Sequence, residues 1–412
     1  MITLPHISCN IQKGVFHSTF PDARGARIQQ FERSRIATAK SKRQNVADKV
    51  RIGIIGVGQI GKNHLRKYRD IEAVEVVAAA DVNASELERV ASEHSIPNTY
   101  VSFHELLERD DIQAVDVCMH NNLHAPATIA GLESGKHVFC EKPIAGSYID
   151  GKSMIEAAAA TGQKLSIQLG TLFSRETKVA KRLIDDGRLG RVYHARSTGH
   201  RRRGRPFVDG YGTDNFVKKE VASGGALFDM GIYHIARMLY LLGLPTVERV
   251  SGKTYQETGM YPERRESSGY NVEELGMGLV RLAGNMTLDI IEAWAIHLDP
   301  FEGSYIVGSE GGIRLDPFGF HTTMSDVEME ATVQLNQADT RWHRIRENED
   351  AYDSPQNHWA AVLQGRADLL PTAELALQTM LVSEGIYLSD RLEREVTVEE
   401  IEDQSVSTAL NI

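Results

Sequence analysis

From Lys49 onward, short apolar runs alternate with stretches whose apolar residues recur at helical spacing. Ile52 to Ile55 and Val74 to Ala80 are apolar enough to be strands buried on both faces, and AVDVCM, HVFC and KLSIQLG repeat that pattern. Between them, ASELERVASEHS, FHELLERDD, HAPATIAGLESG and DGKSMIEAAAATG read as helices. Strand and helix in alternation predict a parallel sheet with covering helices. Near Gly170 the pattern changes. One more helix, TKVAKRLIDDGRLG, is followed by long segments at strand period: VYHARSTGH, TVERVSGKTYQ, LGMGLVRLA, MTLDIIEAWAIH and SYIVGSEGGIRLD. Turn residues join them, as in an antiparallel sheet. HWAAVLQGR and AELALQTMLVSEGIYLSDR read as closing helices. The expected class is α/β, with a parallel-sheet domain over residues 49–170. An α+β domain with a large, mostly antiparallel open sheet follows over 171–412.

The first strand runs into a glycine loop. Gly56, Gly58 and Gly61 form G-x-G-x-x-G, with Val57, Gln59 and Ile60 between them, and a helical pattern starts at once. The second strand ends on Asp81. Gly56 suits the tight turn, Gly58 the approach of a pyrophosphate, and Gly61 close packing of helix on strand. The helix start, with its free N–H groups and dipole, favours phosphate. Asp81 stands where a carboxylate accepts hydrogen bonds from an adenosine ribose. The expected ligand is a dinucleotide on a Rossmann-type domain. NAD is preferred to NADP, because Asp81 repels a 2′-phosphate and VNASELE after it offers no Arg or Lys.

Composition narrows the class further. The chain has 412 residues, 42% hydrophobic and 25% charged, as in ordinary globular proteins, and no apolar run is long enough to span a bilayer. A net charge of −10 argues against nucleic acid or an anionic membrane as the main partner. The three cysteines, Cys9, Cys118 and Cys140, match no zinc spacing, so a reduced, cytoplasmic protein without a metal is expected. Residues 1–48 are basic and lack apolar periodicity. They are expected to be a disordered arm or the product of a wrongly assigned start. An arm wrapping a neighbouring subunit is the alternative.

Two further segments carry chemistry. Glu141-Lys142-Pro143 follows the strand HVFC, and ligands of open α/β sheets lie beyond the carboxyl ends of strands. Lys142 is therefore expected at the nicotinamide end. The segment GGALFDMGIYH holds Asp229, Tyr233 and His234. On a regular helix Asp229 and Tyr233 share a face, while His234 points about 100° away. The stretch HRRRGRPFVDGYGTDNF, residues 200–216, offers Arg, Asp and Tyr side chains to a polyhydroxylated ligand. A solvated loop is the competing reading.

Together the glycine loop, Asp81, MHNNLHAPATIAGLESGKHVFCEKP and the GG…D-M-G-I-Y segment resemble the Gfo/Idh/MocA family of glucose–fructose oxidoreductases and inositol dehydrogenases. The resemblance spans about residues 49–400. It implies NAD(P)-dependent oxidation or reduction of sugars, cyclitols and related polyols, and dimers or tetramers built through the open sheet. It also implies catalytic roles for Lys142, Asp229 and Tyr233, and places Asn121, His124 and Glu141 with the cofactor-binding residues. Tyr233 stands where many members carry His, as in the members with a Tyr acid/base, and His234 competes for the role. In the family's Thr-Pro-Asn-x-x-His run, His120 replaces the proline, and Leu172-Phe173 stands where an Arg-aromatic pair is common. The expected activity is hydride transfer between nicotinamide and a hydroxyl-bearing carbon of a sugar, glycoside or cyclitol. An NAD-dependent glycosidase acting through transient oxidation, or a non-catalytic NAD-binding regulator, are the alternatives.

Overall fold

In a computed structural model, residues 49–299, 302–345 and 352–412 are described; the arm expected at residues 1–48 lies outside them. Among the described residues the strands form two sheets. The first has six parallel strands: β1 (Val50–Ile55), β2 (Val74–Ala80), β3 (Asn98–Tyr100), β4 (Ala114–Val117), β5 (His137–Cys140) and β6 (Leu165–Ile167). Their order is β3-β2-β1-β4-β5-β6, so the order reverses between β1 and β4, the place where open α/β sheets bind ligands. Helices α1 (Gln59–Arg69), α2 (Ala84–His94), α3 (Asn121–Glu133) and α4 (Tyr148–Thr161) form the crossovers. Strands β1, β4 and β5 are buried almost throughout, which is why they read as continuous apolar runs.

The second sheet has nine strands: β7 (Val192–His200), β8 (Val247–Tyr255), β9 (Leu275–Leu282), β10 (Met286–Ala293), β11 (Tyr305–Gly308), β12 (Gly311–Leu315), β13 (Phe318–Met324), β14 (Val327–Ala331) and β15 (Val396–Thr397). Neighbouring strands are antiparallel except for β7 and β10. One face buries Val250, Val280, Leu282, Leu288 and Ile290 with helices α5 (Ile232–Leu241) and α6 (Thr372–Leu392). On β9 the alternate residues Met277, Leu279 and Arg281 are exposed, so this sheet is open on its other side.

Several elements differ from their sequence reading. FHELLERDD is helical only over Phe103–Leu107, and just beyond it Arg109 and Arg51 both converge on the Asp111 carboxylate. The hairpin of β13 and β14 carries no strong sequence signal. Its two-residue turn is Ser325-Asp326, at φ 53° and 63°, where glycine or asparagine is the usual marker. The chain also returns to the first sheet late. Thr372 accepts from the Ile167 backbone N–H at 2.9 Å, and Trp359 packs with Val50, Ile52, Tyr68 and Phe139. No described helix is long and apolar enough to cross a membrane.

Trp359 is fully buried, and its loss leaves a large cavity beneath the first sheet. Trp359→Ala is expected to destabilise the protein by about 3–5 kcal/mol, read as a shift of the urea unfolding midpoint. A shift under about 1 kcal/mol would show that the sheet does not depend on this late segment.

Candidate active site

The glycine loop has the geometry its spacing predicts. Gly56 sits at φ 92°, and a Cβ there would stand 2.4 Å from the Cys118 carbonyl oxygen. A Cβ on Gly61 would come within 2.1 Å of the Gly56 carbonyl oxygen, so helix α1 can pack this close only without a side chain there. Gly58, Gln59 and Ile60 are exposed, and a Cβ on Gly58 meets nothing within 4 Å. Gly58 offers no side chain to cap the start of α1. Asp81 accepts from the Val57 N–H at 2.9 Å and the Asn83 N–H at 2.8 Å, which sets its carboxylate at the rim of the loop. These residues fit a dinucleotide. Lys62 and Arg89 both pair with Glu86.

Beyond β5, Lys142 Nζ lies 3.0 Å from Asp229 Oδ1 and 3.3 Å from the Asp229 carbonyl oxygen. The same ammonium stands 4.8 Å from the centroid of the Tyr233 ring. The other Asp229 oxygen accepts from the Trp294 indole N–H at 3.1 Å, and Arg201 approaches it to 3.9 Å. Burial works against the Lys142 charge, but Asp229, with Tyr233 and Glu141, outweighs it and raises the pKa. Burial likewise works against the Asp229 charge, and Lys142 with Arg201 holds its pKa below the ordinary range. A cavity of 420 Å³ beside this group is lined by Ile60, Asn63, His64, Glu141, Gln168 and Tyr233. A wider trough, 1290 Å³, lies on β11 to β14 and contains none of these residues.

Some expectations need correction. The segment carrying Asp229 is not a regular α-helix: Leu227–Gly231 is a π-helical turn leading into α5. Asp229 and Tyr233 still meet Lys142, through a wider turn, a distortion frequent at functional sites. Lys142 acts to lower the Tyr233 pKa but is outweighed. Burial dominates, and the phenol is held above the ordinary tyrosine value. His234 sits one step round the helix, with Nδ1 2.9 Å from Glu292 Oε2 on β10, and the described contacts do not join it to Lys142. His124 is wholly enclosed, its ring nitrogens 2.7 Å from the Pro143 carbonyl and 3.1 Å from the Met119 carbonyl. It buttresses the Lys142 turn. Asn121 donates to the Ala222 carbonyl at 3.0 Å and so ties the two sheets' connections together. Glu141 is buried beneath Lys142 and accepts from the Lys142 N–H at 2.9 Å. Leu172 and Phe173 are core residues.

Other residues of the site are not visible as motifs. Trp294 follows β10 with nothing local to mark it. Glu273 is buried and accepts from the Gly225 and Leu227 N–H groups at 2.8 and 2.9 Å, which holds the start of the Asp229 turn. Next to it, Glu274 accepts from the buried Arg205 at 3.0 Å. Arg205 also binds Asp209 at 2.9 Å, so residues 201–211 are stapled down and bring Arg201 and Tyr211 up to Asp229. Part of the Arg-rich stretch is therefore an anchored wall of the cleft.

Two family descriptions match the chain: "Oxidoreductase family, NAD-binding Rossmann fold" over residues 50–169, and "GFO/IDH/MocA C-terminal domain" over residues 177–314. The chain belongs to the Gfo/Idh/MocA family. It is an NAD-binding oxidoreductase. Among characterised relatives, D-glucoside 3-dehydrogenase of Escherichia coli is 28% identical over 71% of this chain and 84% of its own length. Myo-inositol 2-dehydrogenase of Thermotoga maritima is 30% identical over 47% of this chain, a span covering 55% of that relative. The structure of levoglucosan dehydrogenase with NADH and levoglucosan superposes with a TM-score of 0.71 at 20% identity, covering 85% of this chain and 100% of the other. That likeness shows the shared fold.

The Asp81 geometry makes a cofactor prediction. kcat/KM is expected to be higher with NAD than with NADP, and Asp81→Ala is expected to narrow the difference. A higher value with NADP would contradict the reading of this rim.

Proposed function

We propose that the protein moves hydride between NAD and the carbinol carbon of a sugar, glycoside or cyclitol. The reading rests on the convergence of Lys142, Asp229 and Tyr233 beyond the carboxyl end of β5. Residues 49–170 serve as the dinucleotide-binding part and 171–412 as the substrate-binding part. NAD supplies the hydride acceptor or donor at its nicotinamide C4 when bound. Tyr233 takes the hydroxyl proton in oxidation and returns it in reduction. Lys142 steadies the substrate oxygen as negative charge grows on it. Asp229, fixed by Trp294, holds the Lys142 ammonium and accepts from the reacting or neighbouring hydroxyl. Arg201 and Tyr211 close the side of the cleft and meet further hydroxyls. The names of the relatives support a pyranoside or an inositol ring as substrate.

The test is a screen of a methyl D-glucoside, levoglucosan and myo-inositol, reading NADH absorbance and released sugar together. NADH formed in step with a keto product supports the dehydrogenase. Release of a free sugar without NADH favours the NAD-dependent glycosidase instead. Lys142→Ala and Tyr233→Phe are each expected to lower kcat by a factor of about 10² to 10⁴ with little change in NAD affinity. His234→Ala is expected to cost far less, since that ring is held by Glu292. A greater loss from His234→Ala would move the proton transfer to His234.

The raised Tyr233 pKa sets the sign of the pH response. As a base, Tyr233 must be ionised, so oxidation is expected to quicken as pH rises toward and above the ordinary tyrosine range of about 10. Reduction needs the phenol and is expected to fall over the same range. Tyr233→His is expected to shift both limbs toward about pH 6.5. Limbs that do not move would remove Tyr233 from the proton transfer.

The open face of the second sheet supports self-association as a homodimer or homotetramer. It combines the exposed Met277 and Leu279 with the paired charges of Arg196 and Asp289. Leu279→Arg is expected to reduce the mass measured by light scattering, and an unchanged mass would place the subunit contact elsewhere. Cys118 and Cys140 are free and buried, which supports a reduced, cytoplasmic setting.

A further inference from the structure

The least expected group in the first sheet is an acid at its centre. Asp116 lies in β4, fully buried, where the strand is otherwise apolar. A carboxylate there is costly unless it is paired and hydrogen-bonded. Its partner is His64 on α1, itself 1% exposed, with Nδ1 2.8 Å from Asp116 Oδ2. The other ring nitrogen, Nε2, lies 2.8 Å from Glu141 Oε1. A neutral imidazole has one N–H and satisfies one carboxylate; an imidazolium donates to both. Burial works against that form, but Asp116, with Cys118, outweighs it and raises the His64 pKa well above the ordinary value. In return, His64 outweighs burial at Glu141 and keeps that carboxyl below its ordinary range.

Glu141 has a second oxygen, and it accepts from the Lys142 N–H at 2.9 Å. Opposite charges therefore alternate from the sheet's centre to the cleft: Asp116, His64, Glu141, Lys142, Asp229. We propose that His64 is a positioning residue for hydride transfer: clamped between Asp116 and Glu141, it holds Glu141 in the orientation that fixes the backbone and charge of Lys142 against Asp229 and Tyr233. This rests on the reading of Lys142 given above. The other titratable groups facing the clamp are Cys118 beyond β4, Tyr68 on α1, Cys140 at the end of β5, and Lys142, Tyr233 and His124 beside Glu141. Two clamp residues, His64 and Asp116, stand close enough to Cys118 to suggest a metal site. The Cys118 sulfur, however, lies 3.4 Å from both partners, and burial pushes its pKa up, away from the thiolate that a metal needs.

The clamp has a direct readout. In protein labelled with ¹⁵N-histidine, one ring is expected to keep both nitrogens protonated at pH 8, and that signal should vanish in His64→Gln. His64→Gln is expected to lower kcat by a factor of about 10 to 10², from misplacement alone, with NAD affinity changed less than about twofold. The acid limb of kcat is expected to move to higher pH, because Glu141 loses the cation that keeps it ionised. His64→Gln and Glu141→Gln act on one interaction, so the double variant should be no worse than the poorer single. His64→Gln with Asp116→Asn removes the orphaned charge and should recover melting temperature without recovering kcat. Several results would overturn the proposal: a neutral His64 at pH 8, unchanged kcat in folded His64→Gln, multiplicative losses, kcat restored by Asp116→Asn, or a metal bound one to one. Lys142→Ala separates the two levels. Full turnover in that variant sinks the functional reading itself, whereas an inactive Lys142→Ala beside an active His64→Gln sinks only the clamp.

Discussion

The ion pair between Lys142 and Asp229 is the contact on which the rest of the site depends. It joins the end of β5 in the first sheet to the π-helical turn that opens α5 over the second, at 3.0 Å and largely out of water. A buried pair of this kind is stable only when each partner is held on other sides as well. Both are. Glu141 grips the Lys142 backbone from below, and Trp294 holds the second Asp229 oxygen from β10. The pair thus links the end of β5 to the turn that sets Tyr233 beside the ammonium.

Support for this pair comes from buried acids that serve backbone or charge. Glu273 holds the N–H groups at the start of the Asp229 turn, and Glu274 holds Arg205 and so the wall that carries Arg201. Asp116, His64 and Glu141 form the corresponding layer under Lys142. Adjacent residues of one strand edge, Glu273 and Glu274, thus serve opposite sides of the cleft.

Chemistry that depends on local spacing was legible in the chain. The glycine loop, Asp81 and the Glu141-Lys142-Pro143 turn are short motifs whose geometry follows from backbone sterics and from the strand that precedes them. Where the chain was misread, the cause was tertiary. An i, i+4 spacing suggested a plain helix at Asp229, but the turn is widened where Glu273 holds its first N–H groups and Lys142 takes the Asp229 carbonyl. The sequence did not show that packing encloses His124. His64 carried no signal, because its partners are 52 and 77 residues away.

The sequence by itself determined the parallel sheet, the antiparallel sheet after it and the glycine loop, and singled out Lys142, Asp229 and Tyr233 as candidates. Each of these follows from period, turn chemistry or a motif a few residues long. Tertiary structure alone decided which charges meet. It brought Trp294, Arg201, Glu273 and His64 to the site, turned His234 onto Glu292, and set the Tyr233 pKa by burial rather than by its lysine neighbour. Burial and long-range pairing depend on how distant strands stack, and no local window of sequence records that.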